Sequence, residues 1–361
     1  MINVTRVQLP DLNEYYNYLK KIWENNWVTN DGQFLQQFEE KLSDYLKVKN
    51  ILAVTNGTLA LQLVFKALDL EGEVITTPFT FVATTNALIW EGLTPVFADI
   101  NPETFNLDPV QVENMITPRT SAILAVHVYG NACNTDELQR IADKHGIKLI
   151  YDAAHAFGAD YQNRSLVSYG DAATLSFHAT KVFNTIEGGA IVIKDEEIFE
   201  KLKLLRNFGI KTEEEVVCPG INAKMNEFCA SMGLCNFTHL EDAIINRREI
   251  NDYYKTLLEG SPVCFQKQMN SKHNYSYFPV LFENKGKRDV IFNKLIENGV
   301  KTRKYFYPLA SDSVFLKQEK NIEDSIPVAR SVSDRVLCLP IYPGLELSIV
   351  KKIVSIIKQN I

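Results

Sequence analysis

Three features that would place a protein at a membrane, outside the cell or on nucleic acid are missing from this 361-residue sequence. No apolar run approaches the roughly 20 residues of a membrane-spanning helix. Residues 1–5 have neither the basic nor the apolar region of a secretory signal peptide. No run is rich in lysine and arginine, and the net charge of −6 gives no basic field for nucleic acid. We therefore expect a cytoplasmic protein that binds neither membranes nor nucleic acid.

Cysteine pairs, repeats and nucleotide-binding glycine motifs are also lacking. The six cysteines show no C-x-x-C spacing, so we expect reduced thiols in the core rather than disulfides or metal ligands. No histidine or cysteine lies at ligand spacing from His155, and no metal is expected. A G-x-G-x-x-G motif is missing at the first strand–helix turn, which argues against a nicotinamide-dependent dehydrogenase. The composition, 46% hydrophobic and 23% charged, is that of an ordinary globular enzyme.

Short apolar runs alternate with helical patterns in the first part of the chain. We predict seven strands, at residues 51–54, 73–76, 95–99, 122–127, 148–152, 174–177 and 190–193. Helical periodicity lies between them, most clearly at 59–68 and 137–145. This alternation predicts an α/β domain whose large, mostly parallel sheet is covered on both faces. Functional side chains are then expected at the carboxyl ends of the strands.

The later part of the chain has a different pattern. A charged helix is predicted at 197–206 and one long helix at 225–258, followed by a strand at 277–282 and helices at 289–298 and 346–358. We predict a large domain at residues 1–258, including an N-terminal arm, and a smaller α+β domain at 259–361.

Lys181 lies in the most informative segment. It follows the strand at 174–177 and a polar turn, and Gly188 and Gly189 open the next strand. Most lysines are simply exposed to solvent. Here the strand would aim the amine at a fixed point, and the two glycines would allow close backbone approach. A lysine that forms a Schiff base near neutral pH needs a lowered pKa, which burial would provide.

Asp152 ends the strand at 148–152, and His155 shares the loop that follows. A carboxylate after a buried strand needs a partner, although it could simply cap the next helix. An aspartate and a lysine at neighbouring strand ends are what pyridoxal 5'-phosphate (PLP) requires. The lysine forms the Schiff base, and the carboxylate keeps the pyridine nitrogen protonated so that the ring can accept electrons. His155 could hydrogen-bond a cofactor oxygen or only the backbone.

Two turns after earlier strands complete the pattern. Residues 56–58 begin a helix whose N–H groups could bind a phosphate or form an ordinary helix cap. In the segment 77–85, Phe79 and Phe81 could stack on a flat ring or pack in the core. None of these signals decides alone. Their order along successive strand ends, from phosphate turn to aromatic turn, aspartate and lysine, predicts a PLP site.

These motifs resemble those of the DegT/StrS-type sugar aminotransferases. Those enzymes use PLP, have the aspartate aminotransferase (type I) fold and act on nucleotide-linked keto-sugars. The resemblance covers nearly the whole chain and rests on segments 27–32, 38–39, 56–58, 80–81, 152–155, 176–181, 187–189, 220–225 with Glu227 and Ala230, and 337–340. It implies a type I PLP-dependent transferase fold.

The resemblance also implies a role for each site residue. The catalytic residues would be Lys181, which binds the cofactor covalently, Asp152, which pairs with the pyridinium, and His155, near the ring hydroxyl. The other implied cofactor contacts are Gly57, Thr58 and Ser176 at the phosphate, Phe81 on the ring, and Asn222 and Lys224 from a neighbouring subunit. A homodimer with composite active sites follows from the last pair.

Finer similarity, at 176–192 and 302–309, is to the viosamine-forming subgroup. Its members use L-glutamate to convert dTDP-4-keto-6-deoxy-D-glucose to dTDP-4-amino-4,6-dideoxy-D-glucose for O-antigen and related glycans. Candidate substrate contacts are Thr29, Asn30, Asp31, His178, Asn184, Arg303, Tyr305 and Tyr307. An arginine suits the diphosphate because its guanidinium binds such oxygens in pairs.

Two alternatives remain open. One is a C3 aminotransferase acting on a dTDP-3-keto-6-deoxyhexose; such members usually carry His-Tyr-Pro where this chain has Phe306, Tyr307 and Pro308, which favours C4. The other is a PLP-binding regulator without turnover, because a fold does not fix a function. The intact set of catalytic residues argues against it. Relatives with histidine in place of the lysine perform dehydration, so Lys181 implies transamination.

Overall fold

The computed structural model describes residues 1–316 and 325–361. Its strands, in chain order, are β1 Ile51–Val54, β2 Glu73–Thr76, β3 Thr94–Phe97, β4 Thr120–Val126, β5 Lys148–Asp152, β6 Asp160–Tyr161, β7 Arg164–Ser165, β8 Ala172–Ser176, β9 Gly189–Ile193, β10 Ile210–Thr212, β11 Glu215–Val216, β12 Cys264–Phe265, β13 Phe278–Leu281 and β14 Val336–Leu339. Its α-helices are α1 Leu12–Asn25, α2 Gln33–Leu46, α3 Gly57–Ala67, α4 Val82–Trp90, α5 Pro109–Asn114, α6 Thr135–His145, α7 Glu196–Arg206, α8 Glu227–Thr238, α9 Leu240–Leu258, α10 Lys285–Glu297, α11 Pro327–Arg335 and α12 Leu347–Lys358.

The predicted α/β fold with a mostly parallel sheet is confirmed. Within the described residues the central sheet has seven strands in the order β1-β9-β8-β5-β4-β2-β3. The pairs from β8 through β3 are parallel, and only β9 runs antiparallel to both of its neighbours, β8 and β1. The carboxyl ends of β1, β5 and β8 therefore lie along one edge of the sheet.

Both faces of this sheet are covered, as the continuous apolar strands predict. Successive residues of a strand point to opposite faces. Leu149 and Tyr151 accordingly join one hydrophobic cluster, which includes residues of α2 and α6, whereas Ile150 joins a second, which includes residues of α3 and α7. A rigid, doubly covered sheet fixes the positions of the side chains at its carboxyl edge.

The single helix predicted at 225–258 is wrong, because two helices occupy this segment. α8 ends at Thr238, and α9 begins at Leu240. The Thr238 hydroxyl donates to the carbonyl oxygen of Cys235 at 2.6 Å, so this side chain bonds backbone at the very end of α8. His239 between them has φ −109° and ψ 1°, outside helical geometry. Apolar periodicity continues through the break and conceals it.

A second, smaller sheet of β12, β13 and β14 lies in the C-terminal part of the chain and is antiparallel throughout. It packs with α10 and α12 around its own hydrophobic cluster. α9 contributes to two clusters: Leu240 and Ile244 join a cluster of the large sheet, while Ile250 and Tyr254 join the C-terminal one. The domain boundary proposed at residue 258 stays a prediction, since α9 serves both parts.

Three further findings concern the part of the chain that the structure describes. No helix there is long and apolar enough to cross a membrane. No group of three or more histidine, cysteine, aspartate or glutamate side chains there could hold a metal ion. All six cysteines are free; Cys264 is exposed, so the expectation that every thiol is in the core was wrong for that residue.

Candidate active site

Three segments of the chain converge at the carboxyl edge of the central sheet. β5 ends at Asp152, β8 ends at Ser176, and α3 begins at Gly57 soon after β1. Gly189 lies opposite Ser176 on one side and opposite Val54 on the other. The aspartate and the phosphate turn that sequence reasoning singled out therefore lie at the same edge.

Asp152 is a buried carboxylate, 7% exposed, whose two oxygens have separate donors. The Ala154 N–H donates to Oδ1 at 3.1 Å, and the Thr84 hydroxyl donates to Oδ2 at 2.8 Å. Burial raises the pKa of Asp152, and the two donors and the charge of Lys181 oppose that rise. A carboxylate can accept about four hydrogen bonds, so this one has capacity for a further donor such as a protonated ring nitrogen.

Lys181 lies in the turn between β8 and β9, where its N–H donates to the carbonyl oxygen of His178 at 2.9 Å. The side chain is half-buried. Desolvation lowers the pKa of its amine to about 8, against an opposing effect of Asp152. Because an ordinary lysine titrates near 10.5, a much larger fraction of this amine is neutral near physiological pH. The neutral amine is the nucleophile, and the interaction with Asp152 places the two groups in one site.

His155 is fixed from several sides. Its Nδ1 accepts the N–H of Tyr129 at 3.3 Å, so the ring proton of the neutral imidazole resides on Nε2. Burial holds the pKa of His155 well below its usual range, and the charge of Lys181 acts in the same direction. Its ring stacks on Phe306 with 5.9 Å between centroids and meets the edge of Tyr277 at 4.9 Å. The site therefore contains a neutral hydrogen-bond donor of defined tautomer.

The start of α3 forms a cradle for an anion. The Asn56 side chain accepts the N–H of Leu59 at 2.9 Å, which leaves the N–H groups of Gly57 and Thr58 without an intrahelical partner. A Cβ atom on Gly57 would lie 3.0 Å from Cβ of Ser176, so the missing side chain lets the helix start approach β8 closely. Two backbone donors and the hydroxyls of Thr58 and Ser176 suit a phosphate.

The two phenylalanines of the aromatic turn have different environments. Phe79 is fully buried and packs edge-on against Phe105, Tyr129 and Phe306. Phe81 precedes α4 and is 56% exposed. Phe81 is therefore the ring that is free to stack on a ligand, and Phe79 belongs to the core.

Asn222 and Lys224 lie beside the site on an extended segment. Bridges join Asn222 to Asn207 and Lys224 to Val54 at the end of β1. The Lys224 amine donates to Oδ1 of Asn207 at 2.9 Å and lies 4.7 Å from the ring centroid of Phe208. This lysine therefore has a hydrogen-bond partner in its own chain. Asn222 itself is exposed.

The candidate substrate residues at 29–31 form the loop between α1 and α2. Asn30 and Asp31 both have left-handed backbone, with φ of 63° and 60°. An oxygen of Asp31 lies 3.9 Å from a guanidinium nitrogen of the buried Arg206. Thr29 precedes this turn and is partly exposed. The loop is thus fixed to the large sheet, because Arg206 also donates to the carbonyl oxygen of Ala53 at 2.9 Å.

His178 and Asn184 lie in the same turn as Lys181 but differ in exposure. His178 is exposed, and its Nε2 lies 3.7 Å from a carboxylate oxygen of Glu187. Asn184 is 2% exposed, and its amide donates to the carbonyl oxygen of Gln8 at 3.2 Å. The Asn184 side chain therefore holds the N-terminal arm in place, and its role in binding substrate remains a prediction.

Arg303, Tyr305 and Tyr307 do not share one environment. Arg303 is exposed and forms backbone hydrogen bonds with Cys338. The Tyr305 ring meets Tyr277, the residue that also contacts His155, with 5.8 Å between centroids. The guanidinium carbon of Arg288, on α10, lies 4.9 Å from the ring centroid of Tyr307. The structure thus connects Tyr305 with the site, whereas the contacts of Tyr307 are with α10.

Four residues contact the catalytic groups without having been predicted to do so from the sequence. They are Thr84, which bonds Asp152, and Tyr129, Tyr277 and Phe306, which surround His155. A signal existed for Thr84 and Phe306, since both lie in motif segments of the sequence. Tyr129 and Tyr277 had none, because nothing local connects them with residue 155.

The described residues fit PLP. An anion cradle, an exposed aromatic ring, a buried carboxylate and a lysine of lowered pKa meet at one edge of the sheet, and each matches one part of that cofactor. The neutral His155 adds a donor for a ring oxygen.

Comparison with known proteins gives the same assignment. A sequence model of the DegT/DnrJ/EryC1/StrS aminotransferase family matches residues 11–358. The chain is 44% identical to the dTDP-4-amino-4,6-dideoxy-D-glucose transaminase of Escherichia coli, over 99% of this chain and 98% of that protein. It is 31% identical to the GDP-perosamine synthase of Vibrio cholerae, over 95% of both proteins. Among solved structures, DesI in the presence of its TDP-sugar product has a TM-score of 0.93 and 35% identity, over 99% of this chain and 92% of that one.

Proposed function

The chain belongs to the DegT/DnrJ/EryC1/StrS aminotransferase family, and we propose that it transfers the amino group of L-glutamate to C4 of dTDP-4-keto-6-deoxy-D-glucose. The product is dTDP-4-amino-4,6-dideoxy-D-glucose. The sugar and its nucleotide are supported by the likeness to the Escherichia coli transaminase and to DesI. The observation that carries the chemistry is the buried Asp152 within electrostatic range of Lys181, whose amine has a pKa of about 8.

PLP is the cofactor, and when bound it supplies an electron sink and carries the amino group from donor to acceptor. Asp152 would bind the pyridine nitrogen and keep it protonated. His155 would donate from Nε2 to the ring hydroxyl, and Phe81 would stack on the ring face. Gly57, Thr58 and Ser176 would hold the phosphate at the start of α3.

Lys181 has two roles in this proposal. Its neutral amine would bind the cofactor covalently, and once displaced by the donor it would act as the general base that takes the proton from the donor's α-carbon. In the second half-reaction the same Nζ would take a proton from the cofactor carbon that bears the amino group and deliver one to the sugar carbon that receives it. A pKa near 8 suits both directions, because an acid–base catalyst works best when its pKa lies near the operating pH.

The choice of C4 rather than C3 rests on Phe306 and on the named relatives. Phe306 stacks on His155 and on Tyr129, so an apolar ring fills this position beside the cofactor site. The histidine that C3 enzymes usually carry at this position would place a polar ring there instead. The position at which C4 and C3 enzymes usually differ is therefore one that contacts the site.

We also propose a cytoplasmic homodimer that makes its product for O-antigen or another lipopolysaccharide glycan. The dimer would bring Asn222 and Lys224 to the phosphate in the neighbouring subunit. Support for an interface comes from exposed apolar side chains on the segment that precedes them, namely Phe208, Ile210, Val216, Val217 and Ile221. Exposed apolar side chains that cluster in this way are typical of a surface that another protein covers.

The test is a direct assay of product. Purified protein with PLP and glutamate is incubated with dTDP-4-keto-6-deoxyglucose and, separately, with a dTDP-3-keto-6-deoxyhexose. We expect 2-oxoglutarate and an amino sugar only from the 4-keto substrate, with NMR placing nitrogen on C4. Amine at C3 would overturn the regiochemistry, and PLP binding without turnover of either sugar would favour the regulator.

A further inference from the structure

The Thr84 side chain hydrogen-bonds one carboxylate oxygen of Asp152, Oδ2. It lies in the first turn of α4, is 1% exposed, and donates its hydroxyl to Oδ2 of Asp152 at 2.8 Å. Its own oxygen is 2.9 Å from the hydroxyl of Thr80, which is 3% exposed. Three buried polar side chains from two segments therefore form one chain of hydrogen bonds.

The direction of this chain follows from counting hydrogens. A threonine hydroxyl has one hydrogen to donate, and Thr84 uses it on the carboxylate. Between the two hydroxyls Thr80 must then be the donor, which gives the order Thr80 to Thr84 to Asp152. Hydrogen bonds aligned in this way polarise one another, and a charged acceptor makes the last one strong. An ionised Asp152 is the state that this arrangement favours.

We infer that Thr84, supported by Thr80, is a positioning residue that keeps the Asp152 carboxylate ionised and oriented for the pyridine nitrogen. The inference rests on the proposed PLP chemistry. Without the Thr84 hydroxyl, Oδ2 would lose its donor among the described residues, while Oδ1 would keep the N–H of Ala154. The carboxylate would then be free to rotate, and protonation would become easier because burial opposes its charge.

Lys181 is the titratable group whose charge acts on this carboxylate, and His155 follows Asp152 by three residues in the same loop. The charge of Lys181 lowers the pKa of Asp152, and His155 is neutral because burial holds its pKa far below the ordinary value. Neither group donates a hydrogen bond to Oδ2. Removing the Thr84 hydroxyl is thus expected to change the orientation and protonation of Asp152 while leaving the protonation of Lys181 and His155 in place.

The chain offers a matched control in the next residue. Thr85 is also 1% exposed and on α4, but within the described residues its hydroxyl has no hydrogen-bond partner. Thr84→Val and Thr85→Val remove the same atom from equally buried neighbours, and only the first breaks a bond to Asp152. Thr84→Ser restores the hydroxyl without the methyl group. Thr80→Val removes the supporting donor.

The experiment measures, for each variant, the dissociation constant of PLP by absorbance titration, kcat across pH, and thermal unfolding without cofactor. We expect Thr84→Val to lower kcat at least roughly tenfold, as for loss of a hydrogen bond to a charged group, and to weaken PLP binding. The acid limb of its kcat–pH profile should move to higher pH, because Asp152 would be protonated more easily. Thr84→Ser and Thr85→Val should match wild type, and Thr80→Val should show a smaller loss in the same direction.

Two results would overturn the inference. One is a Thr84→Val variant indistinguishable from Thr85→Val in PLP affinity and pH profile; the other is a Thr84→Ser variant as impaired as Thr84→Val, which would assign the effect to packing. If Thr84→Val does not fold, an unchanged kcat–pH profile in Thr80→Val would reject the inference that hydrogen bonds from Thr80 through Thr84 act on Asp152. Wild-type protein that binds no PLP would instead reject the proposed function itself, so the two failures are distinguishable.

Discussion

Gly32 and Glu227 lie against each other where α2 begins. The Glu227 carboxylate, 2% exposed, accepts the N–H groups of Phe34 at 2.8 Å and of Leu35 at 2.9 Å. A Cβ atom on Gly32 would lie 2.4 Å from Cδ of that carboxylate. The start of α2 is thus capped by a residue of α8, and a side chain at position 32 would displace the cap. This contact joins two motifs that are far apart in the sequence and fixes the loop at 29–31.

Gly32→Ala should therefore destabilise the fold. The backbone at Gly32 has φ −74°, which alanine adopts readily, so the cost is the displaced carboxylate and its two hydrogen bonds. We expect a loss of about 1–3 kcal/mol in the free energy of unfolding, seen as a lower midpoint of thermal unfolding.

Gly286→Ala in α10 is the control for that substitution. A Cβ atom at Gly286 would meet only Oδ1 of Asn284, at 3.3 Å, and alanine has the higher helix propensity. This variant should be neutral or slightly stabilised. A Gly32→Ala protein as stable as Gly286→Ala would contradict the importance of the Glu227 cap.

Lys181→Ala should lose the visible absorption of covalently bound PLP together with all transamination. In the wild type, borohydride reduction followed by peptide mass analysis should place the cofactor on residue 181. Because desolvation lowers the pKa of Lys181 to about 8, covalent binding should accelerate up to about that pH rather than towards 10.5. Lys194→Ala, at an exposed lysine after β9, should behave as wild type. Native turnover by Lys181→Ala would contradict the assignment of Lys181 as the residue that binds PLP covalently.

Asp152→Asn should separate stability from catalysis. Burial raises the pKa of Asp152, so its contribution to stability is greatest when it is protonated and is lost as pH rises through the folded-state pKa. At neutral pH a neutral amide costs less to bury, and the cofactor-free variant should unfold at the same or a higher temperature. Turnover should fall by several orders of magnitude, because an amide cannot stabilise the pyridinium.

Asp99→Asn is the matched comparison for Asp152→Asn. Asp99 is 4% exposed and accepts the N–H groups of Val328 and Ala329, each at 2.8 Å, at the start of α11. It caps a helix, so its substitution should lower the thermal midpoint while turnover is kept. Near-native kinetics in Asp152→Asn would refute the pyridine-nitrogen role.

Much of the sheet could be predicted because the information is local. The ends of β2 and β5 agree with the predicted ranges 73–76 and 148–152, since each is an apolar run bounded by turn residues. The carboxyl-edge location of Asp152 followed from the predicted end of β5. The break at His239 could not be predicted, because the apolar pattern that defines a helix continues across it.

The contacts that tune the site are not local, and the sequence pattern does not encode them. Thr84 and Asp152 are 68 positions apart, and Tyr129 and His155 are 26 apart. Phe306 reaches His155 from the C-terminal part of the chain. Such pairs depend on how segments pack after the sheet forms, which periodicity cannot predict. The sequence therefore suffices to place the candidate catalytic groups at strand ends, whereas it does not encode the contacts that set their ionisation and orientation.

The last prediction tests whether each active site needs two chains. Lys224 bonds Asn207 in its own chain, yet it lies beside β1 on an extended segment, preceded by exposed apolar side chains. If Asn222 and Lys224 serve the neighbouring subunit, Lys181→Ala and the double variant Asn222→Ala, Lys224→Ala should each be nearly inactive alone. A hybrid dimer has one site with both defects and one with neither. A freely exchanged equal mixture should then recover about a quarter of wild-type activity. Absence of recovery despite demonstrated subunit exchange, or an active monomer, would reject the shared site.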